Sequence, residues 1–226
     1  EAIRQLVSRV GRENVLYCHV TLVPFIAAAG ELKTKPTQHS VNELRRIGIQ
    51  PDVIVCRSQY HLESDIRDKI ALFCNVPKDS VMEAMDADTI YRVPLQLLEQ
   101  GFDRLVLRRL GLPVGEVPDM DAWIRFLDRF TNPAGEVEIA MVGKYTSLKD
   151  SYLSVMEALT HAGTMNHVRV NLRSVEAEDV EEQGVEATLK GVQGVLVPGG
   201  FGSRGIEGKI AAAGYARRNG IPYLGL

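Results

Sequence analysis

Several kinds of residue are scarce in this chain of 226 residues, and each scarcity excludes a class of protein. The three cysteines, Cys18, Cys56 and Cys74, are too few and too scattered for a disulfide framework or a metal cluster. We find no apolar run that could span a membrane and no charged-then-apolar signal segment. The formal net charge is only −3, so it gives no bulk electrostatic reason to bind nucleic acid. We therefore expect a cytoplasmic globular protein that binds neither membranes nor nucleic acid.

The composition is ordinary for such a protein, with 45% hydrophobic and 24% charged residues. The length allows one large domain or two small ones. Residues 1–14 begin inside a helical pattern, and residues 221–226 form an apolar strand with no turn after it. A buried strand is a poor place for a protein to finish, so we expect the sequence to be an excerpt of a longer protein.

Short apolar runs alternate with helical patterns in the first half. Strands are predicted at 14–23, 52–58 and 70–76. Ser40 is a candidate cap for a helix over 41–48 that Gly48 ends. Such alternation, with nearly continuous apolar strands, favours a parallel sheet that is covered on both faces.

The middle of the chain predicts a helical pair at 94–101 and 103–111. The Pro- and Gly-rich stretch 111–121 is a candidate linker, followed by a short amphipathic helix that carries Trp123. The alternation then restarts, with strands predicted at 136–145, 167–175, 194–200 and 221–226. We therefore expect two α/β units, each with a parallel sheet in three layers and each incomplete.

The first candidate site is GELKTKPTQHS, residues 30–40, which follows a strand and precedes a helix. This position is the carboxyl edge of a parallel sheet, where α/β proteins bind ligands. Lys33 and Lys35 can neutralise phosphates, while Thr34, Thr37 and Gln38 can hydrogen-bond a phosphate or the edge of a base. A solvated loop with a helix cap is the alternative.

Two further cations are predicted near the same edge. Arg57 lies at the carboxyl end of the second predicted strand and Lys69 at the start of the third, so both can complete an anion pocket. Surface charge is the alternative. Asp86 and Asp88 are suited to bonding ribose hydroxyls, although a turn with paired acids explains them equally well.

The second candidate site is LVPGGFGSRGIEG, residues 196–208, where a buried strand runs into a glycine-rich turn. So many glycines indicate positive φ angles or a close approach of the backbone to another group. Exposed N–H groups in such a turn can stabilise an oxyanion, and a tight turn without a ligand is the alternative. The turn lacks the spacing of known nucleotide-binding glycine motifs, which argues against a nucleotide here.

Taken together, these segments resemble the CTP synthase family over nearly the whole chain. The matching runs are TLVPFIAAAGELKTKPTQHSVNELRRIGIQPD, KIALFCNVP, IAMVGKYTSLKDSY and VLVPGGFGSRGIEGKIAAAGYARRNGIPYLGL. KTKPTQHS is very specific in this context, whereas PGGFG alone indicates only a class I glutamine amidotransferase.

The resemblance implies an enzyme that uses ATP to activate the C4 oxygen of UTP and then adds ammonia from glutamine, with GTP as activator and CTP as inhibitor. It implies that residues 1–112 are the C-terminal part of a P-loop NTPase-like synthetase domain. Residues 113–135 are then a linker, and 136–226 are the N-terminal part of a flavodoxin-like amidotransferase domain. Homotetramers, and possibly filaments, are implied as well.

The family's site residues transfer position by position. The UTP site, shared in part with CTP, is implied at Lys33, Thr34, Lys35, Pro36, Thr37, Gln38 and Lys69. Arg57 and Asp86 are implied on the ATP side, although the family often has Lys-Asp-Val where this chain has Met85-Asp86-Ala87. Gly199 and Gly200 are implied to bind glutamine and form the oxyanion hole. Arg204, Gly205 and Glu207 are implied to form a lid that couples GTP binding to the two active sites.

No catalytic residue and no metal ligand is implied within the chain. The resemblance places the nucleophilic Cys directly after Leu226 and the Mg²⁺ ligands outside these residues. We therefore expect this polypeptide alone to be inactive. Two other readings stay open: a different class I amidotransferase with an unrelated synthetase half, and a non-catalytic assembly segment.

Overall fold

The structure is a computed structural model that describes residues 1–146, 149–200 and 202–226. The chain divides into two compact units, Glu1–Pro118 and Asp119–Leu226. Each unit is an α/β structure with a parallel sheet, which confirms the predicted fold class at this level. Ser147 and Leu148 of the run IAMVGKYTSLKDSY, and Phe201 of the glycine-rich turn, lie outside the described residues.

The first unit is built around a parallel sheet. Its helices are α1 (Ala2–Val10), α2 (Lys35–Arg46), α3 (Ser64–Cys74), α4 (Val93–Glu99) and α5 (Phe102–Arg109). Its strands are β1 (Cys18–Leu22), β2 (Phe25–Ile26), β3 (Glu31–Leu32), β4 (Val53–Ser58) and β5 (Val81–Met85). The parallel sheet has the order β1-β4-β5, and β2 and β3 form a separate antiparallel pair. The carboxyl ends of the three parallel strands therefore meet at one edge.

The central strand β4 is buried on both faces over Val53–Cys56, because its side chains alternate between two cores. Ile54 and Cys56 pack into a core with residues of α2 and α3. Val53 and Val55 pack on the other side, near α4 and α5. The first unit therefore has three layers, with helices on each side of the sheet.

The predicted strand at 70–76 is wrong, because most of this run belongs to α3. Ile70, Ala71 and Cys74 are buried on one helical face, whereas Leu72 is 76% exposed. A short apolar run cannot by itself distinguish a buried strand from a helix, and the third parallel strand is β5. Lys69 consequently lies within a helix and not at the start of a strand.

The predicted cap at Ser40 is also wrong, because α2 begins five residues earlier, at Lys35. Pro36 lies in the first turn, where a residue without an N–H group costs no helical hydrogen bond. The Ser40 hydroxyl instead lies 2.9 Å from Nε2 of His19. Residues 35–38 are therefore a helical turn and not an extended loop.

The second unit has a parallel sheet with the order β7-β6-β8-β9. Its strands are β6 (Gly135–Gly143), β7 (Val168–Glu176), β8 (Gly194–Val197) and β9 (Tyr223–Gly225). Its helices are α6 (Asp121–Thr131), α7 (Leu153–Met165), α8 (Ala177–Gln183), α9 (Val185–Leu189) and α10 (Ile206–Asn219). After β6 the chain adds β7 on one side and then β8 on the other. The order of the sheet therefore reverses between β6 and β8, which in α/β proteins is where ligands bind.

Each face of the second sheet also has a core. Ala140 and Val195 pack with Ala212 of α10 on one face. Met141 and Leu196 pack with Tyr152 and the partly buried Leu159 of α7 on the other. Among the described residues, no helix has both the length and the apolar character needed to cross a membrane.

Candidate functional site

The lysine-rich segment of the first unit joins β3 to α2 at the carboxyl end of β1. Lys33 is half-buried and forms an ion pair with Glu31, while Lys35 and Pro36 are exposed. The backbone N–H of Lys33 donates to the carbonyl of Pro24 at 2.9 Å. This contact ties the segment to the chain that leaves β1, so the backbone of the segment is fixed while Lys35 faces solvent.

Two threonines of this segment are buried and serve its own architecture. Thr37 is fully buried, and its hydroxyl lies 3.1 Å from both Thr21 Oγ1 and the carbonyl oxygen of Leu22. Thr34 is 4% exposed, and its hydroxyl accepts a hydrogen bond from the Gln38 amide at 3.0 Å. The Thr37 hydroxyl therefore anchors the first turn of α2 to the end of β1, a role that sequence reasoning did not assign to it.

Lys69 lies on exposed surface of α3 and acts on the same carboxylate as Lys33. The hydrogen bond and charge of Lys33 lower the pKa of Glu31, and the charge of Lys69 adds to that effect. Glu31 therefore links two of the four predicted cations, Lys33 and Lys69, electrostatically, although they come from separate elements.

A cavity of about 770 Å³ opens on the α4–α5 face of the first sheet, at its carboxyl edge. Arg57 and Asp86 both line it, and their side chains form an ion pair at 3.6 Å. The rest of the lining is mostly apolar, and it includes Cys18 and Met85. The structure thus brings the two predicted ATP-side residues into one cavity, which Lys33, Lys35 and Lys69 do not line.

Asp88 is less available than Asp86. Its two carboxylate oxygens accept hydrogen bonds from Arg92 at 2.7 and 2.8 Å. This pairing lowers the pKa of Asp88, mainly through the hydrogen bonds from Arg92. The two acids of this stretch thus have separate partners, Arg57 for Asp86 and Arg92 for Asp88.

The glycine-rich turn of the second unit follows β8 at the point where the strand order reverses. Gly199 and Gly200 are exposed, whereas the preceding residues of β8 and Pro198 are buried. The backbone N–H groups of Gly199 and Gly200 donate no hydrogen bond to any described residue. Two backbone donors are therefore presented to solvent at the position where α/β sheets bind ligands.

Two lysines that sequence reasoning missed lie beside this turn. Lys144 directly follows β6, is only 5% exposed, and donates through Nζ to the carbonyl of Gly202. Lys209, in the first turn of α10, donates to the carbonyl of Pro198 at 3.3 Å. A lysine at the end of a nearly continuous apolar strand was the available sequence signal for Lys144.

The predicted lid residues lie at the start of α10, Arg204 and Gly205 just before the helix and Glu207 in its first turn. The Arg204 guanidinium donates to the carbonyl of Lys144 at 2.9 Å and to the Glu178 carboxylate at 3.2 Å. Gly205 precedes α10 with a φ of 67°, and a Cβ there would lie 2.7 Å from Cβ of Ala177. Glu207 is exposed in the first turn, where a negative charge favours the helix dipole.

Within the described ranges, no three His, Cys, Asp or Glu side chains cluster so that they could hold a metal ion.

Comparison with known proteins matches both halves of the chain. Residues 1–112 match the sequence profile of the CTP synthase N-terminus, and residues 147–226 match that of class I glutamine amidotransferases. The CTP synthase of Carboxydothermus hydrogenoformans is 58% identical over the whole chain, which covers 42% of that relative. The CTP synthase of Methanocaldococcus jannaschii is 55% identical over the whole chain, which covers 43% of it.

A solved structure described as the glutaminase domain of Trypanosoma brucei CTPS with bound acivicin is 43% identical. The match covers 39% of this chain and 35% of that one, with a TM-score of 0.36.

The fold and the glycine-rich turn define a two-unit α/β protein whose second unit is of the class I glutamine amidotransferase type. The match of residues 1–112 to the CTP synthase N-terminus distinguishes the chain from other proteins with a class I amidotransferase domain. The chain belongs to the CTP synthase family and spans about two fifths, 42%, of the length of a curated relative that it matches.

Proposed function

We propose that this chain contributes parts of both active sites of a CTP synthase, a glutamine-hydrolysing ligase that forms a C–N bond. In the proposed reaction ATP phosphorylates the C4 oxygen of UTP, and ammonia from glutamine then displaces phosphate to give CTP. The single observation that carries the proposal is the 58% identity to a CTP synthase over the entire chain. The boundaries proposed are 1–112 for the synthetase part, 113–135 for the linker and 136–226 for the amidotransferase part. A P-loop NTPase-like and a flavodoxin-like topology are proposed for the two parts.

The proposed UTP site consists of the segment Lys33–Gln38 together with Lys69. Lys35 and Lys69 are exposed cations that can meet phosphate oxygens, and Lys33 can exchange its Glu31 partner for phosphate. Because the Thr37 hydroxyl is already engaged with Thr21 and Leu22, we propose that Thr37 positions the turn instead of contacting the nucleotide.

The proposed ATP site is the cavity lined by Arg57 and Asp86. Its mostly apolar walls suit the faces of a nucleobase, and the paired charges at its rim suit polar groups of the nucleotide. Met85 and Ala87 line it where the family often has Lys and Val, so contacts with the base are apolar on this side.

The proposed glutaminase half uses the exposed N–H groups of Gly199 and Gly200 to hold the glutamine amide and the oxyanion derived from it. Arg204, Gly205 and Glu207 are proposed as the lid through which GTP acts. Arg204 supports this role because it reaches the carbonyl of Lys144, which lies beside the glycine turn.

We also propose GTP activation, CTP inhibition, homotetramer and possibly filament assembly, and a cytoplasmic location, with no membrane or nucleic-acid partner. The three unpaired cysteines are consistent with a reducing compartment. Mg²⁺ is the proposed companion of the triphosphates. The described residues do not form a ligand set for it, and no step above depends on the ion.

Acylation of the lysines tests the UTP site. We expect UTP at ten times its dissociation constant to slow acetylation of Lys33 and Lys35 about tenfold, because bound phosphate occludes both amines. Peptide mass spectrometry gives the rate at each lysine. The exposed Lys190 of the second unit is the internal control and is expected not to respond. Equal protection by uridine, which has no phosphate, would contradict a triphosphate site.

Alkylation of Cys18 tests the ATP cavity. Desolvation by surrounding protein atoms raises the pKa of all three thiols, that of Cys56 to about 12. Cys56 and Cys74 are buried, whereas Cys18 remains exposed to solvent and reagents. At pH 8.5 we therefore expect N-ethylmaleimide to modify Cys18 first, and ATP to slow that reaction several-fold because Cys18 lines the cavity. The Cys18→Ser variant should lose the fast phase. If saturating ATP leaves the alkylation rate of Cys18 unchanged, the cavity is not the ATP site.

A further inference from the structure

Three carbonyl groups around the glycine-rich turn are held by different parts of the second unit. The carbonyl of Val197 accepts from the N–H of Leu226 at 3.0 Å. The carbonyl of Pro198 accepts from Lys209, and that of Gly202 accepts from Lys144. These three acceptors are thus engaged by groups of the protein.

The peptide between Pro198 and Gly199 is fixed most specifically. No described peptide bond is cis, so its C=O and N–H groups point in opposite directions. Because Lys209 on α10 holds the carbonyl of Pro198, the N–H of Gly199 must point away from α10. The Lys209 side chain therefore directly restrains the orientation of the first diglycine donor.

Lys209 breaks a local preference to make this contact. A cation in the first turn of a helix is opposed by the helix dipole. Burial lowers the pKa of Lys209, and the nearby charge of Lys144 lowers it further. A lysine under these penalties is expected to have a specific role, and its contact with Pro198 is the one that the structure shows.

The diglycine leaves room for this lysine. A Cβ at Gly200 would lie 3.4 Å from Nζ of Lys209 and 3.6 Å from Cδ of Lys144. A Cβ at Gly200 would thus be in van der Waals contact with the ammonium group, and a longer side chain would compete with it for this space.

We propose that Lys209 is a positioning residue of the glutaminase half, which turns the N–H of Gly199 toward the bound amide by holding the carbonyl of Pro198. This inference rests on the proposed function, because it assigns the diglycine to glutamine. Hydrogen bonding to the carbonyl also polarises the peptide, which makes its N–H a stronger donor to a developing oxyanion.

The test compares Lys209→Met, which keeps the length of the side chain but loses the donor, with Lys209→Arg, which keeps a cationic donor. The ¹⁵N-labelled full chain is observed by NMR before and after titration with L-glutamine. Lys190→Met is the control for loss of an exposed lysine. We expect Lys209→Met to shift the Gly199 amide signal more than any amide outside residues 198–202 and outside the substituted turn 206–212, and Lys209→Arg to restore it.

Glutamine binding gives the second readout. We expect Lys209→Met to weaken it about tenfold, the value of one hydrogen bond from a charged group, and Lys209→Arg to recover most of the loss. An unshifted Gly199 signal in Lys209→Met would overturn the positioning role. If the unaltered chain binds no glutamine, the proposed function fails, and the Gly199 signal still decides what Lys209 does.

Discussion

Replacing Gly208 with alanine is expected to lower the free energy of unfolding of the second unit by about 3 kcal/mol or more. A Cβ at this position would lie 1.9 Å from the carbonyl oxygen of Ala177 and 2.8 Å from its carbonyl carbon. These are backbone atoms at the start of α8, and they cannot rotate away as the end of a side chain can. Helix α10 must therefore move off α8, which disrupts the core that both helices share with β6 and β8.

The matched control lies on the same helix. Gly214 has only Nη1 of Arg218 near its Cβ position, at 3.2 Å, and that flexible side chain can move. Gly214→Ala should therefore be neutral or stabilise by up to about 1 kcal/mol, because alanine favours helix. Urea denaturation followed by fluorescence of Trp123, which lies in the second unit, measures both variants. Equal midpoints for Gly208→Ala and the unaltered chain would show that α8 and α10 do not pack as closely as the structure indicates.

This prediction also bears on the proposed glutaminase half. Gly205 and Gly208 both contact Ala177, and they fix the start of α10, which carries Lys209. A displaced α10 would therefore move the group that holds the carbonyl of Pro198. A variant that retains part of its fold should lose glutamine binding at least as severely as Lys209→Met.

The second large effect is expected in the first unit, at Glu83. Glu83 is only 8% exposed, and its carboxylate accepts a hydrogen bond from the backbone N–H of Leu62. His61 Nδ1 lies 3.0 Å away and Arg67 Nη2 lies 3.4 Å away, and the Arg67 side chain is only 24% exposed. Glu83→Ala should cost about 3 kcal/mol, because it leaves a largely buried guanidinium and a buried N–H group without their acceptor.

Asp86→Ala is the control, one residue beyond the end of the same strand. Its ion pair with Arg57 joins side chains that are 53% and 64% exposed, so the loss should be under about 0.5 kcal/mol. Hydrogen exchange of peptides covering β4 and β5 measures both losses in the first unit. Similar exchange rates in the two variants would mean that Glu83 is not the buried anchor described here.

The sequence predicted the parallel sheets better than it predicted the helix boundaries. The runs of β4 and β8 are almost continuously apolar, because both faces of a parallel strand are buried, and this makes them recognisable from residue types alone. Residues 70–76 are equally apolar but mostly form α3, since only one side of that run meets the core. A run of this length carries no periodicity that separates the two outcomes.

The residues of the candidate sites likewise divide into those recognisable from local residue types and those identified only by their contacts in the fold. Charge and glycine content led to Lys33, Arg57 and Gly199, because cations and glycine turns at strand ends are local features of the sequence. Glu83 and Lys209 were missed, since their partners Arg67 and Pro198 are distant in sequence or lie across a turn.

Residue types and their order were sufficient to identify the chain as α/β, to place Lys33 and the glycine-rich turn after strands, and to assign the family. These properties depend on residue types and spacings, which survive without coordinates. Packing of the folded chain, in contrast, makes Thr37 an internal anchor, brings Arg57 and Asp86 into one cavity and directs Lys209 to the carbonyl of Pro198. Hydrogen bonds and ion pairs of this kind require two groups to come within about 3–4 Å, and that proximity exists only after the strands and helices have packed.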